Sequence, residues 1–361
     1  MQLRIPGPTP IPEDVLRTQS RQMVDHRGKE FSTLLQNTTA RLKQIFQTKN
    51  DIFLLTGSGT GGMEAAVVNT LSPGDRVLSV SIGSFGNRFA GIAEQFGASV
   101  ERLQFEWGTP ADPDAVRRAL AKDSAFKAVL FTHNETSTGV TNDLASLARV
   151  AREAGVLILV DAISSLGSID LPVDKWGCDV VVTASQKGWM APPGIAMASV
   201  SEKAWAAHAK AKMPRFYWDF AKAKSFVEKG QTPWTPAVST AYALDLATEK
   251  MLAEGMNNIF ARHARVGKVA RDGAKALGLA LFAAEAYASN TVTAVKGAEG
   301  MDVKKLVRTL REEHQVYIAA GQDKLEEKIF RIGHLGWVTE DDIREVLSAI
   351  KVVLPGVGFK G

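Results

Sequence analysis

The sequence predicts an α/β fold: a mostly parallel mixed sheet flanked by helices, followed by a smaller C-terminal α+β domain. Three observations carry that prediction. Between positions 52 and 200, short apolar runs alternate with amphipathic helical stretches, the pattern of a mostly parallel sheet covered on both faces. The rhythm breaks from 201 to 236, and long helical periods then fill 237 to 277. Beyond 255, strands mix with two helices that repeat one apolar frame: Val303, Leu306, Val307, Leu310 and Ile343, Val346, Leu347, Ile350. The expected division is a large domain over 1–254, including the N-terminal arm, and a small domain over 255–361.

In the first region, strands are expected at 52–56, 76–81, 98–103, 127–132, 156–160, 179–183 and 195–200. The turn between the last two is too short for a parallel crossover, so one of them should run antiparallel. Leu144, Leu147, Ala148 and Ala151 mark an intervening helix by their i, i+3, i+4, i+7 spacing. Asp112 followed by Pro113 marks another by its cap and first-turn proline. The stretch 201–236 is basic and aromatic without clear period (Lys210, Lys212, Arg215, Phe216, Tyr217, Trp218, Lys222, Lys224), and a loop of that length signals function or an interface. C-terminal strands are expected at 291–296, 316–319 and 328–332. Thr339 with Asp342 three residues on gives a capping-box start to the last helix.

Composition narrows the function. Of 361 residues, 45% are apolar and 23% charged, which supplies an ordinary globular core. The net charge of +4 is mixed in sign along the chain, so no nucleic-acid partner is expected. The only cysteine, Cys178, precludes a disulfide framework or a Cys-rich metal site, and reads as a small buried hydrophobe. The histidines lack metal-ligand spacing, and no metal is expected. The proline-dense N-terminus does not read as a secretion signal, and no apolar run is long enough for a membrane span. A cytoplasmic protein is the expectation.

The chemistry is carried by strand ends. Gly57-Ser58-Gly59-Thr60-Gly61-Gly62 follows an apolar strand and opens a helix. Glycines 57, 59 and 62 satisfy Gly-x-Gly-x-x-Gly, which raises a dinucleotide fold. The next strand, however, ends in Gly83-Ser84 with no acid for a ribose, and some fifty residues precede the motif. What the segment does offer is exposed N–H groups at a helix start beside the hydroxyls of Ser58 and Thr60, a cradle for phosphate. Downstream, Val156–Val160 runs into Asp161, and the strand 179–183 leads to Lys187 in a Gly- and Pro-rich turn 26 residues later. A strand-end acid paired with a strand-end lysine is what pyridoxal phosphate (PLP) requires: the lysine forms an imine, and the carboxylate keeps the ring nitrogen protonated. The segment Thr132–Gly139 converges on the same crevice. Phe85 is either a stacking ring or core, and Arg331 either a surface position or a fork for a substrate carboxylate.

These residues resemble the class V aminotransferases of PLP fold type I, and within them the alanine–glyoxylate, serine–glyoxylate and serine–pyruvate group. The likeness spans the chain: Pro-Gly-Pro-Thr-Pro at 6–10, Thr-Gly-Ser-Gly at 56–59 with Glu64-Ala65-Ala66, Gly-x-Phe-Gly-x-Arg at 83–88 and Thr-His-Asn-Glu-Thr-Ser-Thr-Gly at 132–139. It continues with Val-Asp-Ala-Ile-Ser-Ser at 160–165, Ser-Gln-Lys at 185–187, Pro-Pro-Gly at 192–194 and Phe-Arg-Ile-Gly at 330–333. The resemblance implies that Lys187 is the imine-forming lysine and proton shuttle, Asp161 the pyridine-nitrogen partner and Phe85 the stacking ring. It implies phosphate contacts from Ser58, Gly59, Thr60 and Gln186, a ring-hydroxyl neighbour in Thr136 and a carboxylate fork in Arg331. It also implies that Thr235 reaches the phosphate of a neighbouring subunit, hence a homodimer with shared sites. One departure is evident: mammalian members carry a tyrosine where this chain has Thr232. Phosphoserine aminotransferases and cysteine desulfurases share the fold. The first needs additional basic residues and the second a mobile catalytic cysteine, for which Cys178 is the sole candidate.

Overall fold

The computed structural model describes residues 1–360. Seven strands form the large sheet: β1 (Asp51–Thr56), β2 (Arg76–Ser81), β3 (Ser99–Gln104), β4 (Phe126–Thr132), β5 (Leu157–Asp161), β6 (Val180–Ala184) and β7 (Ile195–Val200). Each lies within one residue of its expected bounds at either end. Their order is β1-β7-β6-β5-β4-β2-β3. β7 is antiparallel to both β1 and β6, and the other neighbours are parallel. The short turn through Lys187 thus joins the one antiparallel pair that its length demands.

Alternate residues of each strand feed alternate faces of the sheet. Val129, Phe131, Ile158, Val160 and Val181 enter one apolar cluster, and Ala128, Leu130, Leu159, Val180 and Val182 enter the other. Both faces are covered, which is why β5, β6 and β7 are unbroken buried runs. Only β3 at the edge is largely exposed, with Glu101 and Arg102 facing outward.

The helices begin where capping side chains stand. Ser58 caps α1 (Gly59–Thr70), α2 (Ser84–Gln95) follows β2, and Asp112 caps α3 (Pro113–Lys122) with proline in the first turn. Asp143 caps α4 (Leu144–Glu153). The stretch 201–236 is more regular than expected, for it holds α5 (Glu202–His208) and α6 (Phe220–Val227). At seven and eight residues these are too short to show a period, but their starts are written in side chains. Ser201 Oγ accepts from Ala204 N at 3.0 Å, and Asp219 Oδ1 accepts from Ala221 N at 2.8 Å. α7 (Val238–Glu254) and α8 (Met256–Ala276) then meet at Gly255, whose φ of +84° ends the first helix.

The C-terminal strands β8 (Val292–Lys296), β9 (Ala319–Ala320) and β10 (Ile329–Gly333) form an antiparallel sheet in the order β8-β10-β9. The single strand expected at 316–319 is divided because its halves have different partners. Ala319–Ala320 pairs with β10, whereas Val316–Tyr317 pairs in parallel with Gln2–Leu3, a two-residue strand with no apolar pattern to announce it. Over this sheet lie α9 (Val303–His314) and α10 (Glu340–Val353). Leu306, Leu310, Ile343, Val346 and Ile350 share one apolar cluster with Phe330 and Ile332. The capping box of Thr339 and Asp342 is present.

Two buried histidines tie this region together. His263 Nδ1 donates to Ile259 O at 2.8 Å and its Nε2 accepts from Gly336 N at 3.1 Å. His334 Nδ1 donates to Asn290 O at 3.1 Å and its Nε2 accepts from Thr293 Oγ1 at 2.8 Å. Each ring has both nitrogens engaged as a neutral tautomer, so burial, with repulsion from Arg262 or Arg271, pulls each down to about 3. A folded value below the unfolded one means that stability is full above about 6.5 and is lost as pH falls towards 3. We expect the unfolding free energy to drop by up to about 1.4 kcal/mol per pH unit per histidine below pH 6.5. Urea unfolding at pH 7 and pH 5 checks this, and equal stabilities would contradict it.

Candidate active site

Every loop of interest leaves the large sheet at the same edge, because the strands that precede them are parallel. Residues 57–60 follow β1, 83–88 follow β2, 133–139 follow β4, Asp161 ends β5, and Gln186 and Lys187 follow β6. Such an edge is where open α/β sheets place their ligands. A cavity of about 240 Å³ lies there, lined by Ser58, Gly59, Thr60, Phe85, Thr136, Asp161, Gln186 and Lys187. These are eight of the ten candidates read from the sequence. Asp161 and Lys187 open onto the same space.

The glycine-rich loop has local reasons for its composition. A Cβ on Gly57 or Gly61 would lie 2.7 Å from the ring of Trp218, and one on Gly62 would lie 2.5 Å from Val182. The loop is pressed between a tryptophan and the sheet, so its glycines are explained without a dinucleotide. At the start of α1, Ser58 Oγ makes only a long contact of 3.4 Å with Gly61 N. Gln186 Oε1 is buried and has no hydrogen-bond partner among the described residues. A helix start and an underused hydroxyl suit a phosphate ester, and Gln186 can add to them only through the N–H groups of its amide, because its Oε1 accepts as the phosphate oxygens do. The residues present therefore fit PLP at its anionic end.

At Asp161 and Lys187 the cavity wall carries buried ionisable groups. Burial pushes the Asp161 carboxyl up to about 7, and the Glu135 charge adds to this. A bond from Ile163 N at 2.9 Å and the charges of Lys187 and Arg88 oppose it. Burial likewise brings the Lys187 ammonium down to about 8, against the favourable Asp161 and with repulsion from Arg331 and Arg88. The acid and the lysine thus lean towards their neutral forms while each favours charge on the other. An added cation beside Asp161, such as a protonated pyridine, would bring its carboxyl down again. Lys187 Nζ donates to Pro6 O at 2.6 Å.

Arg331 lies beside this cavity and not in its wall. Its Nε and Nη2 donate to Ala320 O at 3.0 and 2.8 Å, and Nη1 donates to Thr136 O at 3.2 Å. Three of its five N–H groups are spent on holding the fork in place, which leaves two for a ligand. Burial draws its guanidinium down to about 10, with Glu135 opposing. Thr235 is exposed and does not line the cavity within one chain. Thr232 is buried and its hydroxyl donates to Trp234 O at 2.8 Å, so it fastens its own loop. Trp234 stacks on Phe216 and Tyr217. Cys178 is buried at the opposite edge of the sheet, before β6, and its thiol is pushed up to about 12. It is far in topology from Lys187 and unsuited to nucleophilic work.

Several participants were not singled out in the sequence. Glu135 is wholly buried behind Phe85, accepting from Phe85 N and Gly86 N at 3.1 Å each and from Ser137 N at 3.0 Å. Burial raises its carboxyl above the usual range, against these donors. Arg88 lines the cavity with its guanidinium 4.7 Å from the centre of the Phe85 ring. Ser164 accepts from Thr136 Oγ1 at 2.8 Å. The Gly-x-Phe-Gly-x-Arg spacing was a usable signal for Arg88, one helical turn after Phe85. Glu135 had none beyond its place in a polar strand-end segment.

Comparison with known proteins bears on the family and the fold. The family described as Aminotransferase class-V matches residues 6–337. A protein of Synechococcus sp. (strain PCC 6716) named soluble hydrogenase, small subunit, is 44% identical, covering 99% of this chain and 94% of its own. The L-aspartate–glyoxylate aminotransferase of Paracoccus denitrificans is 36% identical over 98% of this chain and 91% of its own. The crystal structure of alanine–glyoxylate aminotransferase from Nostoc sp. superposes with a TM-score of 0.95 at 29% identity, covering 98% of this chain and 95% of that one.

Proposed function

The chain belongs to the class V aminotransferases, which work through pyridoxal 5'-phosphate, and from that premise we propose that it moves an amino group from alanine or serine to glyoxylate, alternating between donor and acceptor. The observation that carries this reading is the convergence of Lys187 and Asp161 on one cavity with a phosphate cradle at its far end. Bound there, PLP supplies an aldehyde for covalent attachment and a ring that withdraws electrons from the substrate's α-carbon. Lys187 is the attachment point and, once released, takes the α-proton on Nζ and delivers it again. Base work needs a neutral amine, and burial already favours that form. Asp161 holds the proton on the ring nitrogen. Phe85 provides the flat face, Thr136 a hydroxyl near the ring oxygen, and Ser58, Gly59, Thr60 and Gln186 grip the phosphate. Arg331 takes the substrate carboxylate.

Alanine or serine as donor is supported by the names of relatives and neighbours, the serine–glyoxylate aminotransferase of Arabidopsis thaliana and the alanine–glyoxylate aminotransferase of Nostoc sp.. Glyoxylate as acceptor is supported by the names of the Paracoccus and Nostoc proteins. We further propose a cytoplasmic homodimer in which the exposed Thr235 completes the phosphate site of the partner subunit. The purified protein should be yellow with PLP. It should transaminate alanine or serine with glyoxylate faster than with pyruvate or 2-oxoglutarate. A donor panel that includes aspartate tests this, and a preference for a dicarboxylic donor would overturn the small-donor assignment.

A further inference from the structure

The Pro-Gly-Pro-Thr-Pro run at 6–10 has no part in the roles above, yet it closes over Lys187. Besides the bond from Lys187 Nζ to Pro6 O at 2.6 Å, Thr9 N donates to Gln186 O at 3.1 Å and Thr9 Oγ1 to Lys187 O at 3.0 Å. Towards the C-terminal sheet, Gly333 N donates to Arg4 O at 2.6 Å and Arg4 N to Tyr317 O at 2.8 Å. Residues 4–9 therefore fasten the strand that carries Arg331 to the turn that carries Lys187. Two glycines permit this. At Gly7, where φ is +130°, a Cβ would lie 2.5 Å from Lys187 Nζ and 2.7 and 2.8 Å from Cδ and Cε. At Gly333 a Cβ would run into the carbonyl of Ile5.

We propose that Pro6–Thr9 is a positioning strap for the Lys187 amine: whenever that amine is not covalently attached, the Pro6 carbonyl holds it in place, and position 7 is glycine because any side chain there would displace it. The inference rests on Lys187 being the attachment point. The chemistry explains the choice of partner. A lysine released in every half-reaction regains about 2 kcal/mol of rotamer freedom unless something detains it. A carbonyl can only accept, so it takes one N–H of a neutral amine and leaves the lone pair available for the α-proton. A carboxylate in that position would hold the ammonium and suppress base work.

The test follows the rate at which the cofactor-free protein captures PLP at Lys187. In that reaction the neutral amine condenses with the aldehyde, a C=N bond forms and one water leaves. Capture is read by visible absorbance and by borohydride reduction with peptide mapping. Gly7→Ala should slow capture ~10- to 100-fold, the cost of a misplaced reacting group. Gly74→Ala, at a φ of +83° with nothing within 4 Å of a Cβ, also introduces positive-φ strain but meets no side chain, and should capture at the wild-type rate. In a Lys187→Ala background there is no amine to displace, so Gly7→Ala should leave the non-covalent affinity for PLP, read by fluorescence quenching, unchanged. Thr9→Val, which loses the bond to Lys187 O, should also capture more slowly and serves if Gly7→Ala does not fold. Wild-type capture in both strap variants, or weakened PLP affinity from Gly7→Ala in the Lys187→Ala background, overturns the strap. Borohydride labelling of a different lysine in the wild type overturns the attachment point itself, which is a separate readout.

Discussion

Lys187→Ala should lose both turnover and the visible absorbance of the covalently held cofactor. The expected fall in kcat is at least ~10²- to 10⁴-fold, the contribution of a positioned general acid–base, before the loss of covalent attachment is added. Truncation removes Lys187 from the wall of the cavity, and the other described residues lining it supply no second lysine amine for the α-proton. The wild type should carry a pH signature as well. Only the neutral amine condenses with an aldehyde, so capture of PLP should rise with pH and level off above about 8, not near the 10.5 of an ordinary lysine. Spectroscopic titration and stopped-flow capture check both expectations. A variant that keeps its colour and its rate would remove Lys187 from the mechanism.

How much of this was legible in the sequence follows from the range of the interactions. The strands and their order of burial were readable because a sheet covered on both faces needs continuous apolar runs, and β4 to β7 supply them. The Lys187–Asp161 meeting was readable because β5 and β6 are adjacent and parallel, so that one strand-plus-connection unit brings their ends together. What escaped depends on contacts between distant segments. Glu135 is called into the site by the backbone of residues 85 and 86, and Pro6 and Gly7 lie against a lysine some 180 positions away. No local pattern encodes such approaches. Gly333 reads as an ordinary strand end until Ile5 is placed beside it. The helices α5 and α6 were missed for a different reason: a helix of two turns has too few residues to display a period, and only its cap betrays it.

Arg331→Lys should raise KM for every carboxylate substrate while sparing the cofactor's absorbance. The charge survives in this variant, so the change isolates the geometry of the fork. Nε and Nη2 both spend a proton on Ala320 O and Nη1 spends one on Thr136 O, which orients the two remaining N–H groups. A lysine cannot brace itself on two carbonyls and still offer a parallel pair of donors. Arg331→Ala goes further and strips the carbonyls of Ala320 and Thr136, the second of them buried, of these donors. Truncating one partner of a buried charge pair costs about 2–5 kcal/mol, so KM should rise ~30-fold or more in the alanine variant, with the lysine variant between it and wild type. A neutral donor such as an amino-acid amide should be nearly indifferent to both changes, because it presents no carboxylate to the fork. If KM for the acids is unmoved, or if the amide suffers as much as the acid, the substrate carboxylate is bound elsewhere and the cavity has been read from the wrong end.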